Sequence, residues 1–448
     1  MKNMIQANFT PDQNVIFKQI TQQLDDIILL DMPWDNMVSL SGAAGTGKTY
    51  LIAHLIKHFN NKYSVAVTAP THKALKVIRD SLIAHNIEDV ILKTIHSFLN
   101  ITLVTDLSKG IQYFQPEKNK KDVRKVDILV IDESSMISTE LYNYIEDTIV
   151  EQRVKAILFV GDHYQLLPID NTKNQVFDIS HQYKLSKIIR QVQDSYIIKV
   201  ATHARDIIKS KNYQSVQKFF FQNKDIGLEF FYNEEDFHND FCQNKYWENE
   251  DKIITSFLNK SVEHHNKILR NKYWAQNNKN SNDAIIVGDK LIFQSAHSID
   301  DQLIFQNNDE VVVMSAAKQY HEAWGMHYWK CQDRYQNEFQ VIDPGSYFVY
   351  QEMLKKLANI AKQAKYPIKQ ELWKEFFKIK DSFVDVKYHY ASTIHKLQGS
   401  TYKTVYIDLL YLCRHSSLSG DELYRLIYVA MTRASDDIKI LIPPESLK

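Results

Sequence analysis

Cysteine is scarce in this sequence: Cys242, Cys331 and Cys413 are the only three in 448 residues. Their wide separation excludes a disulfide framework and a zinc site of clustered thiolates. Net charge is lacking too, because 54 Lys and Arg meet 54 Asp and Glu. A polyanion would have to be held by local patches rather than by bulk charge. No apolar run approaches the ~18 residues that a membrane span needs, and no apolar signal core opens the sequence. Low-complexity tracts are missing, as is any repeat beyond two α/β halves. These absences lead to the expectation of a soluble chain of the cytoplasm with no membrane partner.

Hydrophobic residues make up 44% of the chain, enough for a sizeable core. The length suggests roughly three domains at ~150 residues each. The 25 Tyr, 22 Phe and 6 Trp are core residues by default, with some available for base stacking.

The chain is organised around SLSGAAGTGKT, residues 39–49. Gly42, Ala43, Ala44, Gly45, Thr46, Gly47, Lys48 and Thr49 fit G-x-x-x-x-G-K-[ST]. An apolar run (Met37, Val38, Leu40) precedes them and a helical pattern (Leu51, Ile52, Leu55, Ile56) follows. Strand, loop and helix together define a phosphate-binding loop. Its glycines let backbone N–H groups face the phosphates, and the helix start adds partial positive charge. Lys48 can reach the β- and γ-phosphates of ATP, and Thr49 can hold magnesium.

The apolar run 127–131 ends in Asp132 and Glu133. In this order after a phosphate loop, Asp132 would hold Mg2+ and Glu133 would polarise the attacking water. That pairing points to hydrolysis rather than binding alone. A later strand, 155–160, runs into GDHYQLLP, where Gln165 is placed to sense the γ-phosphate. Arg190 is either a cation beside the phosphates or a plain surface arginine. Repeated alternation of strands and helices indicates parallel α/β sheets, with the site at the strands' carboxyl ends.

Thr10, Pro11 and Gln13 open the first helix, and the spacing favours a capping box between Thr10 and Gln13. Gln13 could instead pair with adenine. Thr71 is expected to cap the helix after strand 64–68, which leaves Thr71, His72 and Lys73 at a helix start suited to a nucleic-acid phosphate. Thr94 and His96 repeat that pattern weakly. Runs 101–105 and 111–114 flank a glycine-containing turn and predict a β-hairpin. Lys118, Lys120, Lys121, Arg124 and Lys125 then read as a solvated loop. A second α/β unit begins near residue 252, breaks over 284–385, where short β runs and two amphipathic helices intervene, and resumes near 390. Arg433 falls at the end of the last helix, where it could simply complement the helix dipole.

Taken in order, GAAGTGKT, VTAPTHKAL, TIHSF, VIDESS, GDHYQLLP, IIRQ, TSFLNKS, ASTIHKLQGST and YVAMTRA resemble the motif set of superfamily 1 helicases. The set covers nearly the whole chain. Pro-Thr-His at 70–72 and Ser-Thr-x-His-Lys at 392–396 resemble the RecD-like branch, superfamily 1B. The resemblance implies an α/β fold of two RecA-like parallel-sheet domains in tandem. It implies a hairpin (pin) insertion in the first and an SH3-like and helical insertion in the second. The corresponding boundaries are 1–97 and 125–192 for the first domain and 98–124 for the pin. They are 193–283 and 386–448 for the second domain and 284–385 for its insertion, in which 315–349 match poorly.

The resemblance also assigns roles. It makes Gln13 the adenine reader, against the cap. Gln165, Arg190 and Arg433 become the γ-phosphate sensor and arginine fingers, with Gly399 close to the nucleotide. Thr71, His72, Thr94, His96, Ser256, Asn259, Thr393, His395 and Lys396 fall on the single strand. Phe114 is the wedge candidate in the pin, and Trp373 matches a tryptophan of the tower-like insertion on the DNA side. The implied activity is ATP-dependent 5′→3′ translocation on single-stranded DNA with duplex unwinding, in replication, recombination or repair. The implied partners are single-stranded DNA, single/double-strand junctions and a single-strand-binding protein, for a monomer. The alternatives are a translocase that strips bound proteins, a nucleotide-dependent switch, and action on RNA, since phosphate contacts barely distinguish the sugars.

Overall fold

Two parallel sheets, each flanked by helices, carry most of the chain. The structure is a computed structural model that describes residues 8–30, 35–116, 125–168, 175–189, 195–244, 246–276, 283–299, 302–305, 307–415 and 417–444. The first part of the chain supplies strands β1 (Met37–Gly42), β2 (Val65–Ala69) and β3 (Ile91–Thr94), then β4 (Ile101–Asp106) and β5 (Ile111–Pro116). It continues with β6 (Val126–Ile131), β7 (Val154–Gly161) and β8 (His181–Leu185). Six of these form one sheet in the order β3-β2-β6-β7-β1-β8, every neighbouring pair parallel.

Strands such as Ile128–Ile131 are aliphatic on both faces because both faces are covered. Helices α1 (Pro11–Leu30), α2 (Lys48–Phe59) and α3 (His72–Ala84) bury Ile20, Leu24, Leu51, Leu55 and Ile78 on one side. Helix α4 (Thr139–Val150), capped by Ser138, buries Ile145 against Leu129 and Phe159 on the other. All strands therefore point the same way, and the loops after β1, β2, β6 and β7 gather at one end of the sheet.

The predicted hairpin is present. β4 and β5 pair antiparallel from Ile101↔Pro116 to Asp106↔Ile111. Its turn needs Gly110, whose φ of +67° suits glycine. Of the basic run, Lys125 is described; Lys118, Lys120, Lys121 and Arg124 lie outside the described residues.

The second sheet uses β9 (Glu229–Phe231) and β10 (Lys252–Ser256) before the insertion. Helices α5 (Tyr196–Ser210) and α6 (Asn259–Gln276) accompany them. The insertion contains β11 (Lys290–Phe293), β12 (His297–Ile299), β13 (Gln302–Phe305), β14 (Glu310–Val312), β15 (Ser315–His321), β16 (Met326–Gln332) and β17 (Glu338–Ile342). Helices α7 (Tyr347–Gln363) and α8 (Ile368–Ser382) follow. β18 (Val386–Tyr388), β19 (Ala391–Thr393), β20 (Tyr402–Asp408), α9 (Gly420–Met431) and β21 (Ala434–Leu441) complete the chain. The sheet order is β19-β10-β20-β21-β9, again all parallel.

The insertion is a set of small antiparallel sheets, β14-β11-β18, β12-β13 and β15-β16-β17. They share a core of Phe293, Phe305, Trp329, Cys331 and Phe339. Motif matching is poor over 315–349, yet the β15-β16-β17 meander there is regular. Gln319, Lys330 and Gln340 share its polar face, and Lys318 interrupts the apolar face beside Trp329, which hides the strands in a hydrophobicity scan. Among the described residues no helix is long and apolar enough to cross a membrane.

Candidate nucleotide site and strand path

The loop between β1 and α2 turns on Gly45 and Gly47, with φ of +78° and +77°. A Cβ on Gly47 would run into the Gln13 amide nitrogen, so the glycine is required by close approach as well as by φ. Lys48 Nζ donates to the carbonyls of Gly42 (2.6 Å) and Ala43 (3.2 Å), curling back over the loop. Thr49 lies in the first turn of α2. Gln13 does two things at once. Its Oε1 accepts from Thr10 N (3.0 Å) while its own N–H donates to Thr10 Oγ1 (3.2 Å), closing the capping box. Its Nε2 donates to Thr46 O (3.1 Å) in the phosphate loop. The cap that spacing favours is formed, and the same side chain touches the loop.

Asp132 and Glu133 follow β6 on the neighbouring side. Asp132 Oδ1 accepts from Glu133 N at 2.9 Å. Burial, then the adjacent Glu133, push the Asp132 carboxyl up to about 7, with Lys48 pulling the other way. A carboxylate so poorly solvated suits a cation as its counter-charge. Glu133 sits at φ +51°, a left-handed conformation costing about 1–3 kcal/mol in a residue with a Cβ. Gln165 is buried, and its Oε1 accepts from Ser135 Oγ at 3.3 Å. Arg190 lies outside the described residues.

The second domain roofs this end of the first sheet. Gly399 (φ +72°) lies against Thr71, Ala74 and Glu133. Arg433 is close by but is not aimed at the loop. It lies just beyond α9, whose last residue is Met431, rather than in the last turn. Its guanidinium donates to Val429 O (3.2 Å), Leu397 O (3.4 Å) and Ser400 O (3.1 Å), all in its own domain. In this conformation the arginine is held by carbonyls of its own domain, two of which have a second donor: Val429 O also accepts from Thr432 Oγ1 (3.1 Å) and Leu397 O from Ser400 N (3.0 Å).

Two residues that make the direct connection were not anticipated. Tyr428 OH accepts from Ala44 N in the phosphate loop (3.0 Å) and donates to Asp162 after β7. Arg425 Nη1 donates to His163 O (2.7 Å) and Gln165 O (2.8 Å). A signal existed. Asp421, Arg425 and Tyr428 share the face of α9 opposite its apolar stripe, yet residues 423–431 are all buried. A helix covered all round needs a second partner.

The strand-path candidates cluster at equivalent edges of the two sheets. Thr71 and Thr94 follow β2 and β3; each hydroxyl caps a helix, accepting from Ala74 N and Ser97 N, both at 3.2 Å. His72 and His96 are exposed beside them. Asn259 is exposed where α6 begins after β10. Thr393, His395 and Lys396 follow β19; Thr393 Oγ1 accepts from Lys396 N (3.4 Å), and burial holds His395 below its ordinary pKa. Thr71, His72 and Lys396 line one pocket between the domains, with Asn307 and Asn308 of the insertion. Lys73 reaches across it to Glu310 and Tyr402.

Two candidates are corrected. Ser256 is buried and gives its hydroxyl to Asp408 (3.1 Å), so it ties β10 to β20 instead of facing a strand. Trp373 is only 3% exposed. It packs with Ala361, Phe377 and Leu107, and its ring fills the space over Gly110 in the hairpin turn. Phe114, by contrast, is 56% exposed on β5.

The fold and the site define a nucleotide-binding protein of two parallel-sheet domains, of the helicase kind. Residues 31–171 match the family model "AAA domain", and residues 388–438 match "UvrD-like helicase C-terminal domain". The chain is 26% identical to the ATP-dependent DNA helicase Dda of Enterobacteria phage T4 over 444 residues, which is 90% of this chain and 93% of that one. It is 27% identical over 206 residues to the RecBCD subunit RecD of Buchnera aphidicola, covering 41% of this chain and 33% of RecD. A solved structure of a Bacteroides Pif1 helicase with ADP-AlF3 and single-stranded DNA superposes with a TM-score of 0.50 at 16% identity, over 95% of this chain and 91% of that one. That likeness concerns the fold. The chain is thus similar over most of its length to an ATP-dependent DNA helicase and over shorter stretches to RecD and Pif1 helicases.

Proposed function

We propose that this chain is an ATP-dependent DNA helicase that moves 5′→3′ on single-stranded DNA and splits duplex ahead of it. One observation carries the proposal. The end of the first sheet that holds the phosphate loop and Asp132-Glu133 is covered by the second domain through Gly399 and α9. Whatever occupies that end must alter how the two domains meet, which is how a chemical cycle becomes motion.

Gln13 reads the adenine, residues 42–49 cradle the phosphates, and Lys48 leaves its two carbonyls for the γ-phosphate. Thr49 and Asp132 would hold magnesium, which would supply positive charge against the phosphates. Among the described residues no cluster of three or more His, Cys, Asp or Glu could hold a metal unaided. A magnesium site that relies on the substrate's own oxygens fits that donor set. Glu133 orients the attacking water and Gln165 senses the γ-phosphate. Arg190 and Arg433 act as fingers, Arg433 after exchanging carbonyl partners as the cleft tightens.

The strand lies across the two edges marked by Thr71, His72, Thr94 and His96 in one domain and Asn259, Thr393, His395 and Lys396 in the other. Alternating grip at these edges moves the protein stepwise, and phosphate-directed gripping is largely independent of sequence and weakened by salt. The domain boundaries given from the motif pattern delimit the moving parts, with the 98–124 hairpin meeting the fork. The chain acts as a monomer at single/double-strand junctions, alongside a single-strand-binding protein. The test is unwinding of duplexes carrying a 5′ or a 3′ single-stranded tail, with and without ATP. ATP-dependent unwinding of the 5′-tailed substrate is expected. Displacement of a bound protein without strand separation would make it a remodelling translocase instead.

A further inference from the structure

Tyr428 bridges three parts of the molecule that a nucleotide cycle must keep in step. It belongs to α9 of the second domain, is 1% exposed, and has one hydroxyl with two partners in the first domain. That hydroxyl accepts from Ala44 N, inside the phosphate loop, at 3.0 Å and donates to Asp162 Oδ2. Asp162 is equally buried, and its other oxygen accepts from Tyr164 N at 3.0 Å, fixing the turn that leads to Gln165. One helical turn away, Arg425 grips the same turn by two carbonyls while Asp421 holds its Nε at 2.6 Å. Beyond the end of the helix is Arg433.

The arrangement is more specific than packing requires. A phenylalanine would fill the same space. The hydroxyl adds a charge-assisted bond to a buried carboxylate, the stronger kind of hydrogen bond, and takes up the Ala44 N–H, which fixes the backbone of the phosphate loop beside the N–H groups left for phosphate. A rigid helix joined at both sites cannot move relative to the first domain without shifting Ala44, the Gln165 turn, or both.

We infer that Tyr428, assisted by Arg425, is a positioning residue for ATP hydrolysis: its hydroxyl links the placement of the second domain to the Ala44 amide and, through Asp162, to Gln165. It acts through these groups and not on the substrate. The inference rests on the helicase reading above.

The test compares wild type, Tyr428→Phe, Asp162→Asn and the double variant, as full-length protein with magnesium ATP and saturating oligo-dT. Tyr428→Phe should lower kcat about tenfold or more, the scale of one charge-assisted hydrogen bond, with KM for ATP moving less than about threefold. Melting temperature is followed in parallel, and Asp162→Asn provides a second route should Tyr428→Phe fold poorly. The double variant should lose little more than the worse single variant, because both remove one link. Losses that multiply would overturn the inference, as would an unchanged kcat, or a raised KM at unchanged kcat. If wild type itself shows no DNA-stimulated turnover, the helicase reading fails; wild-type stimulation with an unaltered Tyr428→Phe overturns the positioning role alone.

Discussion

Trp373→Ala should uncouple strand separation from ATP use. The hairpin of β4 and β5 emerges from the first domain but is braced by α8 of the insertion. Trp373 covers Gly110 at the turn, Leu107 joins the same cluster, and Gln112 is held by Asp381 (3.1 Å) and Lys380 (2.6 Å). Truncating a buried tryptophan costs about 3–5 kcal/mol, whereas each remaining hydrogen bond is worth about 0.5–1.5 kcal/mol. Opening one DNA base-pair step takes about 1.4 kcal/mol. The intact brace, about 4–8 kcal/mol, thus exceeds the load of a step roughly three- to sixfold, and the two hydrogen bonds that survive the substitution roughly equal it. Unwinding of a 5′-tailed duplex should fall at least about tenfold. DNA-stimulated ATPase should stay within about twofold, since Trp373 belongs to neither sheet's core. Trp373→Phe should recover most of the unwinding by refilling the space. Equal losses of unwinding and ATPase, or no loss of either, would refute the bracing role.

Four further outcomes are expected. Lys48→Ala should abolish ATP turnover while single-strand binding, followed by fluorescence anisotropy, persists; retained turnover would remove Lys48 from the phosphate cradle. Arg433→Ala should leave nucleotide binding nearly intact and slow turnover by ~10³, and it should also lower the melting temperature because three buried hydrogen bonds to Val429 O, Leu397 O and Ser400 O are lost; a lower melting temperature with unchanged kcat would leave Arg433 only a structural duty. Phe114→Ala should spare ATPase and translocation yet impair unwinding; unchanged unwinding would move the wedge to another exposed residue such as Tyr113. Glu310 is pulled below the ordinary carboxylate range, against the effect of burial, by His389 (2.7 Å) and Lys73. A depressed carboxyl stabilises the fold above its ordinary value of 4.5 and loses that contribution as the solution is acidified. Glu310→Gln should therefore lower the melting temperature at pH 7 by more than at pH 4; a gap that widens in acid would refute the sign.

The parallel sheets are legible in the sequence because their physics is local. Ile128–Ile131 can only be a strand covered on both faces, and the glycines of 42–47 can only serve a tight phosphate turn. The hairpin is legible for the same reason, through alternation on either side of Gly110. Contacts made between domains are not. Tyr428 and Trp373 look like ordinary core aromatics until the surface each one meets is known, and Ser256 reads as an available hydroxyl until β20 brings Asp408 beside it. Arg433 shows the limit from the other side. Its motif specifies the residue, but the Leu397 and Ser400 carbonyls it meets come from a loop distant in sequence. The 315–342 meander escapes because alternation is masked where both faces carry polar groups.

The adenine-reading role proposed for Gln13 has a structural consequence at the far end of its own side chain. The amide nitrogen donates one hydrogen to Thr46 and the oxygen accepts one bond from the opening turn of α1; each atom keeps one further bonding site, so a purine could engage both without displacing either partner. Adenine held in that way should steady the start of α1, and slower amide exchange at Thr10 on nucleotide binding would register it.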